Sequence, residues 1–120
     1  MNATADEPRA ILVRPRIYIG EQIAIGPGKV DLLRKIGETR SIAAAARSLG
    51  LPYKRAWLLV DTLNRGFGRT VVVTASGGKR GGGATLTPLG EDLIARYDAL
   101  ERRLNAEATT ELEAVRALAD

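Results

Sequence analysis

Residues 41–57 read SIAAAARSLGLPYKRAW, a pattern that predicts two short helices joined by a tight turn. Ser41 suits the N-cap of the first helix, because its hydroxyl can accept a hydrogen bond from a free backbone amide. The alanines that follow leave room for two helices to cross closely, and Gly50 suits the positive φ that the turn requires. Together these features indicate a helix-turn-helix.

The helix after the turn begins with side chains that suit nucleic acid. In a helix-turn-helix this helix lies in the major groove of DNA and presents its N-terminal residues to base edges and phosphates. We therefore predict DNA contacts from Ser41, Tyr53, Lys54, Arg55 and Leu58. The alternative interpretation is an ordinary helical pair whose Lys-Arg step is only solvated.

The other face of this helix is apolar and is predicted to be buried. Four residues follow the i, i+3, i+4, i+7 spacing of a core-facing helix, namely Ala56, Leu59, Val60 and Leu63. Trp57 follows Tyr53 by one helical turn. We expect Trp57 to pack in the core, with partial exposure to the DNA backbone as the alternative.

A glycine-rich stretch follows between two segments that favour β-strands. Residues 71–75 and 84–87 are these segments, and SGGKRGGG at 76–83 joins them. Such a hairpin after a helix-turn-helix is a wing, and we predict that Lys79 and Arg80 contact phosphate or the minor groove. A nucleotide-binding loop is excluded, because Ser or Thr and then a helix would have to follow the lysine. The alternative is a hairpin tip whose charge has no role.

The chain before the helix-turn-helix is predicted to hold β-structure and a helix. Apolar residues occupy odd positions over 11–25, which indicates one long strand or two strands broken near Gly20. A helix then begins at Pro27 and is predicted to end in a left-handed cap at Gly37. Residues 1–10 are expected to be flexible.

A long helix is predicted after the wing, beginning at Thr87-Pro88. A helix of ~30 residues is about 45 Å long, which is more than a small core covers. We therefore expect it to pair with a second copy of the chain through Leu93, Tyr97, Leu100 and Leu104. The pattern weakens near 105–110, where the helix is expected to break. The predicted organisation is a winged helix-turn-helix domain at 11–88 and a dimerisation helix at 89–120, mainly α with a small β component.

Composition excludes several classes of function. The 120-residue chain has no cysteine and no histidine, so it offers no disulfide, no cysteine-based zinc site and no histidine proton shuttle. Its carboxylates cluster mainly on the last predicted helix, and no nucleophile is paired with a base. We therefore predict no enzymatic activity and no metal site. No apolar run approaches the roughly 20 residues of a membrane helix, and we expect a cytoplasmic protein with no membrane partner.

The formal net charge of +4 is distributed unevenly along the chain. Residues 29–90 include 11 basic and 3 acidic side chains, a net charge of +8, whereas residues 91–120 carry a net charge of −4. A basic segment of this size produces a field that attracts polyanions. The middle of the chain, which holds the helix-turn-helix and the wing, is therefore the part expected to approach DNA.

Several motifs between Ile17 and Leu104 carry a resemblance to a known family. They are the Gly-Gly-Lys-x-Gly-Gly-Gly-Ala wing tip at 77–84, followed by Leu86-Thr87, and the residues Pro27, Ser41-Ile42, Ala46, Pro52-Tyr53-Lys54 and Ala56-Trp57. On these residues the chain resembles the N-terminal domain of the ModE family, bacterial transcription regulators that respond to molybdate. The resemblance implies a winged helix-turn-helix related to the LysR type, which dimerises through its first strand and the long helix after the wing.

The resemblance does not extend to molybdate sensing. ModE regulators have C-terminal oxyanion-binding domains, and nothing in these 120 residues resembles a molybdate site. We therefore expect no cofactor and no molybdate-sensing domain in this chain. Arg55 also stands where the family has a smaller residue, which puts the identity of the DNA target in question.

The function predicted from these observations is a homodimeric transcription regulator that binds specific sequences of double-stranded DNA. A link to molybdate metabolism is implied by the resemblance alone. The main alternative is a winged-helix module that docks a partner protein and does not bind DNA. A third hypothesis is an oxyanion sensor or carrier, for which we expect no molybdate binding.

Overall fold

A computed structural model of the protein describes residues 12–75 and 83–119. The strands are β1 (Ile17–Ile19), β2 (Ile23–Ile25), β3 (Val72–Ala75) and β4 (Gly83–Leu86). The helices are α1 (Pro27–Thr39), α2 (Ile42–Leu49), α3 (Tyr53–Phe67), α4 (Pro88–Glu107) and α5 (Thr109–Ala117). Within these ranges β1 pairs with β2 and β3 pairs with β4, both antiparallel. The predicted fold class, mainly α with a small β component, is confirmed.

The helix-turn-helix forms where the sequence predicts it. Ser41 caps α2 by accepting a hydrogen bond of 3.0 Å from the backbone N–H of Ala44. Gly50 ends α2 with a φ of 70°, a left-handed conformation that glycine adopts at little cost. The small side chains of Ala45 and Ala46 are buried where α2 packs between α1 and α3. α3 is thereby held in a fixed orientation against the rest of the domain.

The hydrophobic core joins the three helices to the base of the wing and to α4. Among the helices, α1 contributes the most buried side chains, and both strands of the wing contribute at least one. The fully or nearly fully buried side chains are Ile25, Val30, Leu32, Leu33, Ile36, Ile42, Ala45, Ala46, Ala56, Val60, Leu63, Val71, Val72, Ala84 and Tyr97. Burial of Ala56, Val60 and Leu63 confirms the predicted inner face of α3.

The end of α1 differs from the prediction at Gly37. The helix continues to Thr39, and the left-handed residue that follows it is Arg40, with a φ of 60°. Gly37 lies inside the helix, where an added Cβ would come within 2.9 Å of Leu86 Cδ1 in β4. Glycine is therefore needed at position 37 because β4 of the wing packs against it, and not because the helix ends there.

The N-terminal part forms a short hairpin in place of one long strand. β1 and β2 pair with Ile17 opposite Ile25, and Gly20 in the turn has a φ of 59°. Of the two predicted alternatives, two strands broken near Gly20 is the one that forms. Residues 12–16 are not in a strand and lie along α4. There Tyr97 Oη donates to the carbonyl of Pro15 at 2.7 Å.

Hydrogen bonds and close packing attach the wing to α4. Thr87 caps α4 by accepting from the N–H of Gly90 at 3.1 Å, and its hydroxyl donates to the Thr70 carbonyl at 2.8 Å. The Thr87 N–H donates to the carbonyl of Val71 at 3.0 Å. Gly90 passes so close that an added Cβ would lie 2.5 Å from the Val71 carbonyl oxygen. The start of α4 therefore has little freedom to move against the wing.

α4 ends at Glu107 and α5 begins at Thr109, so the helical stretch is interrupted at Ala108. Just before this interruption, the side chain of Asn105 binds both backbone polar groups of Val13 in the extended N-terminal segment. Its Oδ1 accepts from the Val13 N–H at 2.7 Å and its Nδ2 donates to the Val13 carbonyl at 2.9 Å.

Across residues 12–75 and 83–119, no helix combines the length and apolar character needed to cross a membrane.

An ion pair between Arg34 and Asp98 fastens α4 to α1. Its two hydrogen bonds are 2.9 and 2.6 Å long, and they hold the pKa of the Asp98 carboxyl below its ordinary value of 3.8. Because the pKa is lowered in the folded state, the stabilisation is present above pH 3.8 and is lost as the pH falls through the folded-state pKa.

We expect Asp98→Asn to lower the free energy of unfolding by about 1 kcal/mol at pH 7, since the pair is bidentate but partly solvated. The difference between the variant and the unmodified chain should shrink as the pH falls well below 3.8. Urea unfolding at a series of pH values measures both effects. A difference that stays constant over the whole range would contradict this role of Arg34.

Candidate nucleic-acid interface

Four of the residues predicted to contact DNA, Tyr53, Lys54, Arg55 and Leu58, lie on the exposed part of α3, but they are spread over three faces. Successive residues of an α-helix are turned by about 100°. Lys54 and Leu58 consequently lie opposite the buried face, and Leu58 is 53% exposed although it is a large aliphatic residue. Tyr53 and Arg55 lie on the two flanks, and both are exposed. The centre of the outward surface is therefore Lys54 with Leu58.

Trp57 does not pack in the core, so that prediction is wrong. Its side chain is 37% exposed, and the indole Nε1 donates to Tyr53 Oη at 2.6 Å. The two aromatic residues are one turn apart on α3 and support each other along one flank. Because the Tyr53 oxygen accepts this bond, its own hydroxyl hydrogen is free to be donated outward.

Arg55 lies on the opposite flank, beside the start of α1. The positive charge of Arg55 reaches Lys29, whose pKa is lowered first by burial and then by the charges of Arg16 and Arg55. Arg55 therefore belongs to a group of three cations that the sequence prediction did not identify. Lys29 and Arg16 were missed because they are far from Arg55 in the sequence and meet it only in the folded domain.

Ser41 lies at the start of α2 and not on the outer surface of α3. Its oxygen is already used as the N-cap acceptor for Ala44, and its carbonyl accepts from Thr39 Oγ1 at 3.0 Å. The residue is half-buried. A contact between Ser41 and DNA stays a prediction, and its structural role is to start α2.

Asn64 connects α3 to the wing and was not identified from the sequence. Its Oδ1 accepts from the backbone N–H of Val71 at 2.7 Å and from that of Val72 at 3.3 Å. Both valines are buried, so no solvent can replace these bonds. Asn64 therefore fixes the angle between the helix that would enter the groove and the strand that leads to the wing tip.

We expect Asn64→Ala to lower the free energy of unfolding by about 2–3 kcal/mol, because two buried N–H groups lose their acceptor. Asn64→Asp keeps an acceptor oxygen in the same place, loses only the long 3.4 Å bond from Nδ2 to the Val72 carbonyl, and serves as the control. It should retain most of the stability. Chemical denaturation of the three proteins measures the effect, and equal losses in both variants would show that the Oδ1 bonds do not matter.

The wing forms at the predicted place, but its tip lies outside the described residues. β3 and β4 remain paired out to Ala75 opposite Gly83, which confirms a hairpin between the two β-prone segments. Lys79 and Arg80 fall in the intervening 76–82, and their contacts with DNA stay a prediction.

The four residues predicted to form a dimer contact have different surroundings. Tyr97 is 1% exposed and bonds to Pro15 of the same chain, so its assignment to a dimer surface is wrong. Leu93 is half-buried against the core of its own chain. Leu100 is 37% exposed, and Leu104 is half-buried outside that core. Of the four predicted dimer residues, only Leu100 and Leu104 are therefore left to contact a second subunit.

Comparison with solved structures defines the class of fold, which is a winged helix-turn-helix of the LysR type. A CbnR DNA-binding domain in complex with DNA aligns with a TM-score of 0.53 and 20% sequence identity, over 78% of this chain and 97% of that one. Full-length LTTR LysG from Corynebacterium glutamicum, with bound effector Arg, aligns with a TM-score of 0.55 and 25% identity, over 78% of this chain and 30% of that one.

Sequence relatives support the predicted resemblance to ModE. Molybdenum-pterin-binding protein MopB of Rhodobacter capsulatus is 54% identical over 77 residues, which is 64% of this chain and 28% of that protein. The DNA-binding transcriptional dual regulator ModE of Escherichia coli K12 is 38% identical over 84 residues, which is 70% of this chain and 32% of that protein. No protein-family model matches the sequence.

The chain spans about a third of the length of the curated relatives that it matches. The homologues of this winged helix-turn-helix are thus ModE, MopA and MopB proteins, and the resemblance predicted from the sequence is confirmed.

Proposed function

We propose that this chain is the DNA-binding part of a transcription regulator that recognises a specific sequence in double-stranded DNA, with α3 in the major groove. The observation that supports this most strongly is the outward surface of α3, where Lys54 is exposed beside Leu58, a large aliphatic residue that is itself 53% exposed. A lysine at this place can bind guanine or phosphate, and an apolar side chain can contact the methyl group of thymine.

The relatives support the same proposal, since the Escherichia coli protein is a DNA-binding transcriptional dual regulator. The names of MopA and MopB, both molybdenum-pterin-binding proteins, are the reason to place this regulator in molybdate metabolism. Binding to DNA by this domain needs no cofactor and no enzymatic activity. It would take place in the cytoplasm, where bacterial DNA is found.

We further propose that the chain acts as a homodimer through α4 and α5. These helices and the residue that caps α5 carry exposed apolar side chains that the core does not use, namely Leu100, Val115 and Leu118. A twofold dimer would present two copies of α3 about 34 Å apart, which suits a palindromic site. Sedimentation equilibrium gives the mass in solution, and a monomer at micromolar concentration would refute this part of the proposal.

Binding to random duplex DNA over a range of salt concentrations tests the function before any operator is known. A DNA-binding domain should lose affinity steeply as salt rises, because cations released from phosphates are the main source of non-specific affinity. A module that docks only a protein partner should bind DNA weakly at every salt concentration. That outcome would favour the alternative function.

The wing has its own test in the same assay. We expect Lys79→Ala combined with Arg80→Ala to reduce the slope of log affinity against log salt by up to about 2, since each lost phosphate contact changes it by about 0.9. The matched control removes two exposed cations from α4, Arg102→Ala with Arg103→Ala, and should leave the slope unchanged. An unchanged slope in the wing variant would refute the wing contact.

A further inference from the structure

A cleft of about 410 Å³ lies beside α3, on the flank that carries Arg55. Its size is within the range of sites that bind small ligands. Its walls come from the β1–β2 hairpin with the segment before it, from the start of α1, and from the first three turns of α3 with the turn that precedes them. The lining residues that matter for its chemistry are Arg16, Gly26, Gly28, Lys29, Arg55 and Leu59.

The cleft concentrates positive charge without a carboxylate to balance it. Arg16, Lys29 and Arg55 all line it, no acidic side chain does, and within residues 12–75 and 83–119 none of the three forms a salt bridge. Burial and the charges of the two arginines lower the pKa of Lys29. The fold therefore holds three like charges together, and an anion placed among them would relieve their repulsion.

Two of these cations lie against the backbone around the start of α1. Lys29 Nζ donates to the carbonyl of Ala24 at 2.7 Å, which fixes its direction. The guanidinium of Arg16 lies over Gly26, where an added Cβ would be 3.5 Å from Arg16 Cζ. The ammonium group of Lys29 is therefore ordered before any ligand arrives, which reduces the entropy lost on binding.

The first turn of α1 adds backbone donors to the same cleft. Gly26 is the N-cap and provides no side-chain cap, and the first turn contains no acidic residue. The first hydrogen bond inside the helix runs from the Val30 N–H to the Gly26 carbonyl at 3.2 Å. The N–H groups of Gly28 and Lys29 thus have no carbonyl partner within the helix, and the helix dipole favours an anion near them.

We propose that this cleft binds a tetrahedral oxyanion, with the amides of Gly28 and Lys29 and the side chains of Arg16, Lys29 and Arg55 as hydrogen-bond donors. The oxyanion has two sources in a cell, a phosphodiester of the DNA backbone and free inorganic phosphate. The first source rests on the proposed function, because the cleft adjoins the helix that would occupy the major groove. The second source does not depend on DNA binding.

Titration of the full chain with inorganic phosphate, followed by amide NMR at constant ionic strength, tests the site. We expect saturable shifts of the Gly28 and Lys29 resonances, and we expect Arg16→Gln combined with Lys29→Gln to remove them. The matched control is Lys35→Gln, a cation near the other end of α1, which should keep the shifts. Shifts that persist in the double variant would place phosphate elsewhere and overturn the site.

The same variants in the salt-titrated DNA assay distinguish the two sources. A slope that falls by up to about 2 in the double variant, but not in Lys35→Gln, assigns the cleft to a backbone phosphate. Phosphate shifts with an unchanged slope assign it to the free anion. Absence of both effects would overturn the proposal. The same assay shows whether the unmodified chain binds DNA at all. The proposed DNA-binding function and the proposed oxyanion site can therefore be refuted independently.

Discussion

Gly90→Ala should lower the free energy of unfolding by about 3 kcal/mol, the upper range for overfilling a well-packed site. The added methyl group would lie 2.5 Å from the carbonyl oxygen of Val71 and 3.3 Å from its side chain. Val71 is fully buried and its carbonyl already accepts from Thr87, so this backbone has no free direction in which to move. Thermal and urea unfolding measure the loss.

Gly28→Ala is the matched control for Gly90→Ala, because both glycines lie in the first turn of a helix. An added Cβ at Gly28 meets no atom within 4 Å. Alanine is the better helix former, so this variant should be unchanged or more stable by less than about 1 kcal/mol. If both variants have the same stability, the close contact between Gly90 of α4 and Val71, the residue before β3, is not a constraint on the fold.

Lys54→Ala should weaken binding to a cognate DNA site by about 1–3 kcal/mol if the lysine reads a base, which is up to about a hundredfold in affinity. If it binds only a phosphate, the loss should instead be similar for all sequences, and the salt slope should fall by about 1. Either result follows from the position of Lys54 opposite the buried face of α3. Fluorescence anisotropy with specific and random duplexes separates the two.

The control for Lys54→Ala is Arg96→Ala, which removes an equal charge from α4. Arg96 is highly exposed and pairs only with Asp92 of its own helix, at 3.2 Å, among the described contacts. Its loss should leave DNA affinity within experimental error. Equal weakening by the two variants would mean that net charge alone, and not the surface of α3, is responsible for binding.

Local patterns in the sequence were sufficient to predict the helix-turn-helix. The N-cap at Ser41, the left-handed Gly50 and the spacing of Ala56, Val60 and Leu63 each depend on neighbours within one or two helical turns. The physical causes of these features are therefore visible in a single stretch of sequence. The same holds for Thr87 as the cap of α4.

Contacts between distant segments could not be read in this way. Asn64 and Asn105 look like ordinary polar helix residues, yet each binds the backbone of another segment. Tyr97 follows the spacing of a dimer stripe, but the chain folds its own N-terminal segment over the ring and supplies the Pro15 carbonyl to its hydroxyl. The amphipathic pattern reports which residues are buried, but not which part of the assembly covers them.

The arrangement of side chains on the outward surface of α3 is also hidden in the linear sequence. Tyr53, Lys54 and Arg55 are consecutive in the sequence and look like one group. On a helix, however, their side chains are spread over more than half of the circumference and point in different directions. Only Lys54 faces directly outward together with Leu58. The sequence predicts core packing for Trp57, but its bond to Tyr53 places it along the edge of the exposed surface.

We expect the outward surface of α3 to be covered by DNA in the complex. The chain contains no cysteine, so Leu58→Cys places a single reactive thiol at the middle of that surface, and Arg96→Cys places one on α4 as the control. The rate of alkylation with and without saturating duplex DNA is the measurement. We predict that DNA slows alkylation strongly at position 58 and leaves position 96 unchanged. Bound DNA that leaves the thiol at position 58 as reactive as in the free protein would contradict the claim.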